Sequence, residues 1–138
     1  MPKLTELFAA AEAARARAYA PYSRFTVGAA LETGDGRRYT GSNVENASYG
    51  LTNCAERVAV QAAVMDGART IAAVAIAGPD GITISPCGAC RQVLAEFGTA
   101  ETRVVYGSAS GPVETTLGAL LPAAFDAAVL RDGPRGAG

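Results

Sequence analysis

Histidine is missing from this 138-residue sequence, tryptophan is missing too, and lysine occurs once. No histidine means that any metal must be held by sulfur or oxygen. A net charge of −1 with a single lysine leaves no electrostatic footprint for nucleic acid, and no tryptophan serves as a stacking platform. Cysteine is scarce and odd in number, three in all, which argues against a secreted disulfide framework and for reduced thiols. No apolar run approaches the ~20 residues that a membrane-spanning helix requires. Residues Met1 to Ala20 carry Lys3, Glu6, Glu12, Arg15 and Arg17, which interrupt any signal-peptide core. One cytoplasmic domain is expected over residues 1–130, with 131–138, rich in glycine, as a loose tail.

What is present is concentrated. All three cysteines fall in two short segments, Thr52-Asn53-Cys54-Ala55-Glu56-Arg57 and Ser85-Pro86-Cys87-Gly88-Ala89-Cys90-Arg91. A structural zinc site is closed by four protein ligands, whereas a catalytic one has three and an open corner. With three thiols, the open corner is the simpler expectation; a carboxylate or a second chain is the other source of a fourth ligand. Cys87 and Cys90 lie three apart, on one face of a helix. Ser85 suits an N-cap and Pro86 a first helical position, so both cysteines are expected in a helix's first turn. Thr52 or Asn53 is the expected cap of a second helix carrying Cys54. Two helix N-termini directed at one metal would stabilise the thiolates.

Zn²⁺ with three thiolates carries one net negative charge. Arg57, three residues after Cys54, is placed to offset it by donating hydrogen bonds to sulfur. Glu56 lies about 200° round the helix from Cys54. It reaches the open corner only if the metal sits off the helix end. Taken singly, C-x-x-C also fits a redox pair or half of a structural site, and Glu56 and Arg57 fit a solvated helix face.

Elsewhere, Thr5 to Ala18 reads as a helix with the stripe Leu4, Leu7, Phe8, Ala11 and Ala14. Phe25 to Leu31 is a strand, Thr33-Gly34-Asp35-Gly36 a turn and Arg38 to Gly41 the returning strand. Cys54 to Met65 is a helix buried on most sides, and Thr70 to Ala77 a strand covered on both faces. Cys87 to Phe97 is a helix closed by Gly98; Arg103 to Tyr106 and Pro112 to Thr115 are strands. Leu117 to Leu121 is a short helix that Ala123 to Val129 continue. The order predicts an α/β fold: a mixed sheet of about five strands between helices.

Five segments in order resemble the small, three-cysteine type of cytidine deaminase, over nearly the whole chain. They are Phe25-Thr26-Val27-Gly28-Ala29-Ala30, Asn43-Val44-Glu45-Asn46-Ala47-Ser48-Tyr49, Cys54-Ala55-Glu56-Arg57, Pro86-Cys87-Gly88-Ala89-Cys90-Arg91-Gln92 and Leu120-Leu121-Pro122-Ala123-Ala124-Phe125. The resemblance implies the three-layer fold of that family, with both cysteine-bearing helices on one face of the sheet.

It also implies one Zn²⁺ per subunit on Cys54, Cys87 and Cys90, with Glu56 moving protons between water, pyrimidine N3 and the departing amine. The implied substrates are cytidine and deoxycytidine, small pyrimidine nucleosides, and the implied role is salvage. Asn43 and Glu45 are expected at the ribose hydroxyls, Phe25 against the pyrimidine face, and Ala55 through its N–H, with the Ser85 carbonyl, at the base's polar edge. A carboxylate at position 45 repels a 5′-phosphate. The family's homotetramer implies shared active sites, with Phe125 reaching across an interface and Tyr49 close to one. An aminonucleoside-antibiotic deaminase would share the metal centre. A non-catalytic zinc or redox module would instead close it with a fourth ligand.

Overall fold

The computed structural model describes residues 2–131. Five strands form one sheet in the order β2-β1-β3-β4-β5: β1 is Gly28–Thr33, β2 Arg38–Ser42, β3 Ile71–Ala77, β4 Arg103–Tyr106 and β5 Val113–Thr116. Only β3 and β4 run parallel; the other three pairings are antiparallel. The helices are α1 (Leu4–Ala14), α2 (Ala55–Met65), α3 (Gly88–Phe97), α4 (Leu117–Leu120) and α5 (Ala127–Arg131).

Side chains alternate across a sheet with a period of two, and here that period sorts two cores. Leu31, Val74, Ile76 and Val104 meet Ala55, Ala59, Val60 and Leu94, so α2 and α3 cover one face. Ala30, Ala73, Ala75 and Val105 meet Leu4, Leu7 and Ala11 of α1 on the other. Three layers result, with both cysteine-bearing helices on one side, as expected. Glycine makes the α2 contact possible. A Cβ at Gly41 would lie 2.5 Å from the backbone nitrogen of Ala59 and 2.6 Å from the carbonyl oxygen of Ala55.

Several boundaries differ from the sequence reading. The first strand enters the sheet at Gly28, not Phe25. Residues 25 and 27 find their partner in a side chain: Asn43 accepts from the Val27 N–H at 2.9 Å and donates to the Phe25 carbonyl at 2.8 Å. An amide that mimics a neighbouring strand satisfies the backbone without a ladder. The first α-helix ends at Ala14 in a 3-10 turn over Arg15–Arg17. Helix α2 buries one face through Ala55, Glu56, Ala59, Val60 and Ala63, while Gln61, Ala62 and Met65 are exposed, so it is less covered than expected.

The helix expected from Ala123 begins only at Ala127. Pro122 supplies no N–H, and Ala123 turns left-handed at φ 52°. The Leu120 and Phe125 carbonyls are held instead by the side chains of Arg91 and Gln92, each at 2.8 Å. The expected loose tail lies outside the described residues from 132 onward.

Candidate active site

The three thiols converge. Their Sγ atoms all lie within 4.8 Å of one another, with Cys54 and Cys87 3.9 Å apart. Three sulfurs at Zn–S distances of ~2.3 Å on a tetrahedron stand roughly 3.8 Å apart, so this donor set fits zinc. The helices begin later than the capping residues suggested, by one or two positions at Cys54 and by two at Cys87. Cys54 and Cys87 are themselves the N-caps, both with extended backbone. Neither makes a side-chain cap hydrogen bond, yet each carbonyl accepts the first intrahelical bond, from Val58 at 3.1 Å and from Arg91 at 2.9 Å. The usual Ser or Asn is displaced because the N-cap position places a thiol where the unpaired first-turn N–H groups gather. Cys90 follows in the first turn of α3, fully buried.

Arg57 donates through Nη2 to Cys54 Sγ and to the Thr52 carbonyl, each at 3.4 Å. Its Nε is buried without a hydrogen-bond partner among the described residues. The thiols share their charge unequally. Hydrogen bonding from Cys90, then from Arg57, brings the Cys54 thiol down to about 5. The same bond to Cys54, with burial and the Glu56 charge, pushes Cys90 upward. The guanidinium of Arg57 thus favours the thiolate form of Cys54.

Glu56 is 4% exposed. Burial pushes its carboxyl above the ordinary range, and the charge of Cys54 adds to the rise. Sequence geometry left open how a residue 200° from Cys54 reaches the same centre. Because Cys54 stands at the N-cap, the cluster lies off the end of α2, and Glu56, Cys54 and Cys87 line a single cavity of about 260 Å³.

Phe25, Asn43, Glu45 and Ala55 line that cavity as well. Asn43 and Glu45 reach it together through backbone pairing. Residue 44 bridges Tyr19 on one side and Asn53 on the other, so this short extended segment has strand-like alternation. Its odd positions turn inward, and Val44 is exposed. Ser23, Val27, Thr52, Asn53 and Ile84 also line the cavity, beside the expected Ser85. Sequence reading gave none of these five a place there. For Ser23, the nearest signal was its position two residues before Phe25.

Tyr49 and Phe125 stand outside the cavity and are exposed by 76% and 60%. Tyr49 borders an adjoining groove with Tyr22, Ser23, Glu45 and Thr52, its ring edge-on to Tyr22 at 6.2 Å. Phe125 lies in the segment tied to α3 by Arg91 and Gln92.

The profile described as the cytidine and deoxycytidylate deaminase zinc-binding region matches residues 1–108. This chain belongs to that family. Among its relatives, the cytidine deaminase of Halalkalibacterium halodurans is 51% identical over 120 residues, 86% of this chain and 91% of the relative. The crystal structure of cytidine deaminase from Burkholderia pseudomallei, 50% identical, covers 90% of this chain and all of its own, with a TM-score of 0.83. That from Mycobacterium tuberculosis, 46% identical, covers 91% and 98% with a TM-score of 0.79. Zinc is therefore the metal this three-thiol group accommodates. Among the described residues no helix is long and apolar enough to cross a membrane.

Proposed function

We propose that the chain, as one domain over residues 1–130, hydrolytically deaminates cytidine and deoxycytidine to uridine and deoxyuridine, releasing ammonia. One observation carries this reading: three thiols lie within 4.8 Å of one another, and two of them, Cys54 and Cys87, share a cavity wall with a buried glutamate. Cys54, Cys87 and Cys90 hold the zinc, which when bound supplies a Lewis acid that makes water a stronger acid. Glu56 takes a proton from the attacking water and gives it to N3 as the oxygen adds at C4. It then carries a proton to the exocyclic amine, which leaves as ammonia, so one water is consumed per ammonia released. Burial, which raises this carboxyl, makes it a better proton acceptor than a solvated carboxylate.

Phe25 lies against the pyrimidine face, and the Ala55 N–H meets the base's polar edge. Asn43 and Glu45 bind the ribose hydroxyls. With two of its groups occupied by Phe25 and Val27, the Asn43 amide keeps one N–H and one lone pair for ligand. The charge of Glu45 favours a nucleoside over its 5′-phosphate. The exposed Tyr49 and Phe125 fit a homotetramer in which neighbouring subunits complete each site, and the setting is cytoplasmic pyrimidine salvage. Incubating the purified protein with cytidine, with and without a chelator, tests the activity. Absorbance shifts to that of uridine with ammonia release, and chelation abolishes it; no shift with the zinc-loaded protein refutes it.

A further inference from the structure

Glu45 is held at its carboxylate by one short turn. The backbone N–H groups of Tyr22 and Ser23 donate to Oε1 at 3.0 and 3.2 Å, and the Ser23 hydroxyl donates to Oε2. The same Ser23 Oγ accepts from the Phe25 N–H at 3.0 Å. One hydroxyl thus connects the carboxylate and the aromatic residue on the cavity wall. Between them Arg24 takes a left-handed backbone, φ 58°, a conformation that costs a non-glycine residue and persists only where its neighbours hold it. Arg24 N–H closes the turn on the Ala20 carbonyl at 2.9 Å. Glu45's own N–H is fixed to the Tyr19 carbonyl at 2.9 Å, so backbone and side chain are both tethered.

A carboxylate offers about four acceptor sites. Three are taken by this turn. What remains is one acceptor, on a side chain that cannot rotate freely, facing a cavity that Cys54 and Cys87 also line.

We propose that Ser23 is a positioning residue for the sugar side of the substrate: it fixes the Glu45 carboxylate and, through the Phe25 N–H, the wall on which the base lies. This rests on the reading of Glu45 as a substrate contact. Ser23 touches no reacting atom, so its loss weakens binding and leaves the proton transfers at Glu56 in place. A bound hydroxyl then meets a carboxylate tethered through Oε1 alone, with Oε2 no longer fixed, and a hydrogen bond to a charged acceptor is weakened.

The test is steady-state deamination of cytidine by the zinc-loaded protein and its Ser23→Ala, Ser23→Thr, Glu45→Ala and Ser23→Ala/Glu45→Ala variants, with thermal unfolding of each. Ser23→Ala is expected to raise KM about tenfold with kcat within about twofold. Ser23→Thr, which keeps the hydroxyl, returns KM to within about threefold of the parent. The double variant has nearly the KM of Glu45→Ala, because only the contact of the serine with the Phe25 N–H is then left to lose. An unchanged KM in Ser23→Ala beside a raised KM in Glu45→Ala overturns the role of Ser23 and leaves the reading of Glu45 standing. An unchanged KM in Glu45→Ala overturns both. A fall in kcat with lowered unfolding temperature that threonine does not rescue means a purely structural serine, and also overturns the proposal.

Discussion

Arg57 Nη2 lies 3.4 Å from Cys54 Sγ, and the two residues belong to the same helical turn. The guanidinium is therefore fixed against a thiol by helix geometry rather than by a long-range contact. Its buried Nε has no hydrogen-bond partner among the described residues. A three-thiolate zinc centre carries an excess negative charge, and this cation reduces it.

Arg57→Ala removes that compensation and leaves the three ligands in place. The variant is expected to bind zinc 10- to 100-fold more weakly, the usual range for groups bonded to metal ligands (about 1.4–2.7 kcal/mol). Competition with a chromophoric chelator measures it. Unchanged zinc affinity would show that the contact is incidental.

Gly41→Ala and Gly28→Ala separate folding from metal binding. An added methyl at Gly41 strikes the α2 backbone at Ala55 and Ala59, one residue from Cys54, whereas at Gly28 it strikes the Ala11 carbonyl of α1 on the opposite face. Both should lose about 2–3 kcal/mol in chemical denaturation. Only Gly41→Ala should also release zinc more readily to a chelator. Equal zinc retention in both would mean that α2 can shift without moving its N-cap thiol.

Acid should leave the proposed sugar contact of Glu45 intact until well below neutrality. The Ser23 hydroxyl bond, with the two N–H groups, holds Glu45 below the ordinary carboxylate value of 4.5 against the opposing effect of desolvation. A depressed pKa means that the interaction is fully present above the ordinary value and is lost only as pH falls through the lowered one. KM for cytidine should accordingly show no Glu45-linked rise between pH 7 and about 5. In Ser23→Ala the rise should begin at higher pH. KM measured across that range decides it, and identical profiles for the two proteins would contradict the assignment.

Asn43→Ala tests a side chain with two duties. It deletes both a cavity-lining amide and the partner of the Phe25 carbonyl and Val27 N–H. Leaving those backbone groups unpaired near the cavity should cost about 1–3 kcal/mol of stability and raise KM for cytidine more than tenfold. A variant as stable as the parent would show that water replaces the amide without loss.

The hairpin and the buried strand β3 were legible because alternation and an unbroken apolar run are local signals. The convergence of the three thiols was legible too, since no other cysteine or any histidine competes with them. Helix starts were misjudged by a residue or two. Capping preference favours Ser85 and Asn53 on propensity, but the thiols occupy the caps, and that choice belongs to the metal centre rather than to the helix. Asn43 standing in for a neighbouring strand beside Phe25 joins positions 18 residues apart in sequence, beyond the reach of any periodicity. Likewise, the Glu45 carboxylate was expected at the pocket, but the turn that grips it lies 22 residues away. The break after Pro122 was marked in the sequence by the proline itself. The Arg91 and Gln92 side chains that hold the released carbonyls were not.

The most direct measurement compares zinc content, cytidine binding and uridine formation in the parent and Glu56→Gln. Glutamine keeps the shape and cannot shuttle a proton. The variant should retain one zinc per chain and bind cytidine with near-parental affinity, while turnover falls by about three orders of magnitude or more. Turnover close to that of the parent would contradict the account.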